Sequence, residues 1–108
     1  MAQFDVLFLE PVKRFLDHLD DVTRKKVLFN IWKSREVNDS ELLKKLNRDI
    51  WEFRTRYGKK QIRLLAFWDK RRDEQTLVIV THGFFKKTRK TPIKEIARAE
   101  KMRTEYLE

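Results

Sequence analysis

The stretch Asp49-Ile50-Trp51-Glu52-Phe53-Arg54-Thr55-Arg56-Tyr57-Gly58-Lys59-Lys60-Gln61-Ile62-Arg63-Leu64-Leu65-Ala66-Phe67-Trp68-Asp69 decides the fold. From Asp49 to Tyr57 the apolar Trp51, Phe53 and Tyr57 alternate with Glu52, Arg54 and Arg56, so one strand face is apolar and the other charged. Gly58-Lys59-Lys60 is a tight turn. Gln61 to Asp69 is the next strand, with Ile62, Leu64, Ala66 and Trp68 on one face and Arg63, Leu65 and Phe67 on the other. A polar loop, Lys70 to Gln75, leads to Thr76–Phe85, which is largely apolar, as a central strand is. The short connections make these three strands an antiparallel meander.

Outward from the meander, Gln3 to Leu9 reads as a first strand with Phe4, Val6 and Phe8 on one face, and it must find a place beside one of the other strands. Pro11 opens a helix whose stripe is Val12, Phe15, Leu16 and Leu19. The Asp20-Asp21 pair caps a second helix with the stripe Val27, Leu28, Ile31 and Trp32. Asn38-Asp39-Ser40 marks a turn, and Glu41 to Leu46 reads as a short helical piece. Thr91 as cap and Pro92 as first helical residue open a last helix. The predicted fold is one α+β domain over residues 1–108: an antiparallel sheet with a three-stranded C-terminal meander, and helices packed on the Trp51/Phe53 face.

Composition narrows the function. Lys and Arg number 26 against 17 Asp and Glu, a net charge of +9, with a pI near 10.0. Such a field draws a nucleic acid or an acidic protein partner. The 41% hydrophobic and 12% aromatic residues, set in periodic patterns, argue against disorder. With no cysteine, disulfides and thiolate metal sites are excluded, and His18 and His82 are too few for a histidine-only zinc site. The start lacks a basic region before its apolar stretch, so it reads as a strand and not a signal peptide; no apolar run nears the ~20 residues that span a bilayer. The expectation is a cytoplasmic protein with no cofactor and no membrane segment. With glycine at Gly58 and Gly83 alone, a nucleotide-cradling loop is not on offer.

What remains is a basic face. Arg54 and Arg56 lie opposite Trp51 and Phe53 on their strand and are expected to project from the open face. Arg63 can point the same way across the hairpin, and Lys86-Lys87-Thr88-Arg89-Lys90 leaves the third meander strand nearby. Guanidinium forks bind phosphate oxygens bidentately, and lysine supplies a mobile point charge. Taken singly, each residue is as much at home on a solvated face paired with Glu52 or Asp69; as a set they point to phosphate chemistry. His82, within an apolar strand, reads first as a structural histidine and second as a catalytic base. Trp51, Trp68 and Phe67 read as core before they read as base-stacking platforms.

Five phrases carry a family likeness: Asp49-Ile50-Trp51-Glu52-Phe53-Arg54, Gln61-Ile62-Arg63-Leu64-Leu65, His82-Gly83-Phe84-Phe85-Lys86-Lys87-Thr88, Lys90-Thr91-Pro92 and Glu95-Ile96-Ala97. Over nearly the whole chain they resemble the phage-derived HigB-like branch of the RelE/ParE toxin superfamily. The resemblance implies a fold similar to small microbial ribonucleases. It implies the toxin of a type II toxin–antitoxin pair, an endoribonuclease that enters the ribosomal A site, cuts the messenger there and is neutralised by a helix-turn-helix antitoxin. By motif position, Arg54, Arg56, Arg63 and Lys87 resemble the basic residues that such toxins place around the scissile phosphate; the expected site is a catalytic set of Arg63, Arg54, Lys87 and Glu52, with Arg56, Lys86, Arg89 and Lys90 binding RNA. Relatives often carry a tyrosine or histidine near the last helix. Here Thr88, Thr91 and Ile93 hold that stretch and Tyr106 lies too far along, so the proton-transfer residue stays open, with His82 a candidate. The alternatives are a ParE-like DNA gyrase poison of the same fold and a non-catalytic RNA-binding module.

Overall fold

The computed structural model describes residues 4–71 and 77–108. Strand β1 (Asp5–Phe8) leads into helices α1 (Glu10–Asp17) and α2 (Asp21–Ser34). Strands β2 (Leu43–Lys45), β3 (Trp51–Tyr57), β4 (Lys60–Asp69) and β5 (Leu77–Phe85) follow, then helix α3 (Ile93–Leu107). They make a five-stranded sheet in the order β1-β5-β4-β3-β2, antiparallel throughout except for β1 beside β5. The α+β class and the C-terminal meander are those the alternation predicts. Gln3, Thr76 and most of the Lys70–Gln75 loop lie outside the described residues.

Local chemistry accounts for most of the boundaries. Asp20 caps α2, accepting from the Thr23 amide at 3.2 Å and its hydroxyl at 2.6 Å, and these bonds hold its carboxyl down at a pKa of about 2. Gly58 takes φ +60° at the first central position of the two-residue β3–β4 turn, where a side chain is strained. Three local expectations fail. The segment read as a helical piece, Glu41 to Leu46, holds the edge strand β2 instead: Leu43 pairs with Phe53 and Lys45 with Trp51. Six residues nucleate a helix poorly, and the Asn47 side chain, accepting from the amides of Asp49 and Ile50, turns the chain back beside β3. At α3 the cap position is Pro92, and the Thr91 hydroxyl donates instead to Glu52. On α2, Val27 and Ile31 are buried as expected, but Trp32 is 59% exposed and Leu28 is exposed too.

The helices do not share one face. Helices α1 and α2 cover Phe53, Leu64, Ala66 and Val80 with Val12, Leu16, Val27 and Ile31, joined by Phe4, Val6 and Phe8. Helix α3 lies on the other side, where Ile96, Ala99, Tyr106 and Leu107 pack on Leu65, Phe67 and Ile79. The reason is in the central strands: β4 carries Leu65 and Phe67 on the face it shares with Arg63, so both its faces need cover. Against the first face, α1 comes unusually close at Gly83. A Cβ there would stand 2.5 Å from Phe15 Cδ2 and 2.6 Å from Leu64 Cδ2. Gly83→Ala is therefore expected to cost about 1–3 kcal/mol through overpacking, read as a lower urea midpoint at unchanged slope. Unfolding at the parent's midpoint would mean that α1 does not seat on β5 in this way.

Candidate functional site

The face that carries α3 also carries the charges. Strand pairing aligns Glu52 with Leu65 and His82, and Arg54 with Arg63 and Phe84; Arg56 pairs with Gln61, whose carbonyl accepts from the Lys86 amide at 2.7 Å. Helix α3 sits over Leu65 and Phe67, toward one end of this face. The arginine rows lie toward the other.

At their junction Glu52, 1% exposed, acts as a hub. Its Oε1 lies 3.4 Å from Arg63 Nε and 3.6 Å from Arg54 Nε, and its Oε2 accepts the Thr91 hydroxyl. Arg63 does not project into solvent as the alternation suggested; it is 4% exposed. The cause is company: Glu52 compensates its charge, and its two Nη groups donate to the Ile62 carbonyl and to Gln61 Oε1, each at 3.1 Å. Arg54 is steadied at the sheet edge by Glu41 at 3.6 Å and the Ser40 carbonyl at 3.3 Å. The Nε atoms of Arg54 and Arg63 are buried and have no hydrogen-bond partner among the described residues. Buried donors in that state are rare, and anionic oxygens satisfy them best. Burial pushes the Arg63 pKa down while the Glu52 carboxylate holds it up. Burial, and after it the charge of Arg63, likewise pushes Lys86 below the ordinary lysine range.

Two clefts flank the hub. One, of about 340 Å³, is lined by Glu52, Arg54, Lys86, Arg89, Lys90 and Thr91, with Lys44 and Lys45 from β2. The other, about 370 Å³, lies at Arg54, Arg56 and Arg63 beside Asn30 and Glu41. Seven of the eight expected residues thus stand on one of the two clefts. Lys87 is exposed and lines neither, because alternation past Phe85 turns Lys86 toward Arg63. Lys44 and Lys45 were missed because their segment was read as helical. Thr91 was missed because a threonine before proline reads as a cap.

His82 is built as structure. It is 1% exposed, with Nε2 3.1 Å from Glu95 Oε1 on α3 and Nδ1 3.0 Å from the Thr81 hydroxyl. It stands two strands from Glu52, about 10 Å at ~4.8 Å per strand. Burial, then the charge of Arg98, push its pKa below 6.5 against the pull of Glu95. The unfolded chain therefore takes up this proton first. His82 contributes stability above pH 6.5 that is lost as pH falls below it toward the folded-state value. Chemical denaturation between pH 7 and 5 is expected to show that loss, and His82→Gln to flatten it; an unchanged slope in the variant would remove His82 from the pH response.

Residues 14–104 match the family model described as phage derived protein Gp49-like (DUF891). No curated protein matches the chain. Among the described residues no helix is long and apolar enough to cross a membrane.

Proposed function

The chain belongs to the phage-derived Gp49-like family, a RelE/toxin-like family, and from that premise we propose that it is the toxin of a type II toxin–antitoxin pair that cleaves messenger RNA on the ribosome. The observation that carries the chemistry is the convergence of Arg54 and Arg63 on the buried Glu52 carboxylate, with Lys86 on the same cleft and two guanidinium Nε–H groups unbonded. A scissile phosphate seated there accepts hydrogen bonds from Arg54 and Arg63 through its oxygens. Glu52 accepts the proton of the neighbouring ribose 2′-hydroxyl, whose oxygen attacks phosphorus. Arg63 and Arg54 stabilise the charge gathered on the phosphoryl oxygens. The bond to the 5′ oxygen breaks, and Lys86, whose burial makes it a better acid than an ordinary lysine, delivers a proton to that oxygen. The products are a 2′,3′-cyclic phosphate and a 5′-hydroxyl. Arg56, Arg89 and Lys90 hold the flanking backbone, with Lys87 exposed beside them in the chain. The fold class and the +9 charge support the ribosomal A site of the cytoplasm as the place of action. The partner is a helix-turn-helix antitoxin that screens the basic face.

The test is expression of the chain alone and with the antitoxin gene beside it, followed by primer extension on a message in a translating extract, with and without ribosomes. Growth arrest relieved by the antitoxin, with ribosome-dependent cuts, is the expected result. Harmless expression, or arrest with intact message and inhibited DNA supercoiling, would overturn it.

A further inference from the structure

Beyond the phosphate clefts lies a cavity of about 720 Å³ whose floor is aromatic. Trp51 and Trp68 meet there edge to face with ring centroids 5.8 Å apart, both half-buried. Trp68 leans on Phe4 behind it, at 5.1 Å, while Trp51 belongs to neither core cluster. Five cationic side chains and two carboxylates complete the wall. Both carboxylates are held: Asp69 by Arg71 at 2.9 Å, and Asp49 by Arg103 at 3.7 Å. Lys45 stands with its Nζ 5.9 Å from the centre of the Trp51 ring. Arg48, on the turn into β3, is exposed and makes no ion pair among the described residues.

The cavity and the phosphate cleft share one wall residue. Lys45 lines both. On the edge strand β2, Lys44 pairs with Glu52 and Lys45 with Trp51, so consecutive lysines serve opposite faces of the sheet one register step apart. A polyanion that leaves Glu52 and passes round this edge meets Lys44 and then Lys45 before the indoles. Planar π surfaces ringed by cations are the chemistry that holds unpaired nucleotides, the base stacking and the phosphate paired.

We infer that the Trp51/Trp68 cavity is a second RNA subsite, in which an unpaired nucleotide flanking the cut stacks on the indoles while Arg48 and Arg103 hold its phosphate. This rests on the nuclease reading above and adds to it where the RNA chain runs.

The test uses the full chain with Arg63 in place and no ribosomes, so that the RNA survives, with a single-stranded octanucleotide RNA bearing 5-iodouridine. Irradiation followed by peptide mass spectrometry is expected to attach the RNA at Trp51 or Trp68. Arg48 is exposed, so Arg48→Glu leaves the core contacts in place. It is expected to weaken binding and to make the salt dependence shallower by about 0.7 in the log–log slope, one single-strand phosphate contact. Trp51→Leu is expected to weaken binding roughly five- to hundredfold, with Trp51→Phe recovering part of the loss. Cross-links confined to the Glu52–Lys90 cleft, with Arg48→Glu binding as its parent does, would overturn the subsite while the parent chain still cut messenger on ribosomes. No RNA binding together with no cleavage by that chain would overturn the nuclease reading, and the subsite with it.

Discussion

Arg63→Ala is expected to cleave message in a translating extract on the order of a hundred- to a thousandfold more slowly than the parent, and to melt at a lower temperature. The rate loss follows from the geometry of the arginine. Two of its nitrogens are tied to Gln61 and Ile62, which fixes the fork in place before substrate arrives. Losing one preorganised donor of this kind costs about 2.7–4 kcal/mol of transition-state stabilisation. Arg63→Lys should recover only part, since one ammonium cannot reproduce a guanidinium fork held at both ends. The stability loss has a separate origin. Arg63 is 4% exposed, so alanine leaves Glu52 with Arg54 and the Thr91 hydroxyl as its remaining partners. Hydrogen bonds to charged groups are worth about 1.5–3 kcal/mol, a drop of roughly 5–20 °C for a domain of this size. Gly83→Ala separates the two effects: it lowers stability through Phe15 and Leu64 and touches none of the charges. If Arg63→Ala cuts at the parent's rate below its melting point, Arg63 does not stabilise the reacting phosphate. If Gly83→Ala also stops cutting, lost activity reports lost fold.

The meander was legible because one face of β3 is cleanly apolar and the other cleanly charged, and a period of two leaves a single register that buries Phe53. The short β2 was not, because Leu43-Lys44-Lys45 carries no alternation strong enough to outvote helical propensity; a hydrogen-bonding edge offered by β3 decides its state. The side on which α3 packs was also hidden. Leu65 and Phe67 signal an apolar patch beside Arg63, but how far that patch extends depends on Ile79 and Ile50, which join it only through the sheet order. At the site, the residue types were readable and their burial was not. Alternation put Arg54 and Arg63 on one face with Glu52, yet nothing in a single strand says that Glu52 is sealed between them by Thr91 from another element. Lys86 and Lys87 differ only by parity, and parity became readable once the end of β5 at Phe85 was known.

Glu52→Gln should move RNA affinity and cleavage rate in opposite directions. The substitution keeps the shape and an acceptor for Thr91 but removes the negative charge that Arg54 and Arg63 share and that steadies Lys86. Removing one partner from a buried ionic cluster typically costs about 3–5 kcal/mol, because the charges left behind repel and stay desolvated. The folded variant is then a stronger anion receptor than the parent. Phosphate or sulfate should restore its melting temperature by binding the native state, and a short RNA should bind it more tightly. Cleavage should nevertheless fall by roughly a hundred- to ten-thousandfold, the usual worth of a positioned proton acceptor, because glutamine cannot take the 2′-hydroxyl proton. Glu52→Asp, which keeps the charge but draws it back from the ribose, should fall between the two in rate while binding RNA like the parent. A Glu52→Gln variant that binds more tightly and still cuts at full rate would reduce Glu52 to a counter-ion and move proton acceptance to the ribosome. Weaker RNA binding in the variant would mean that the phosphate does not sit among Arg54, Arg63 and Lys86 at all.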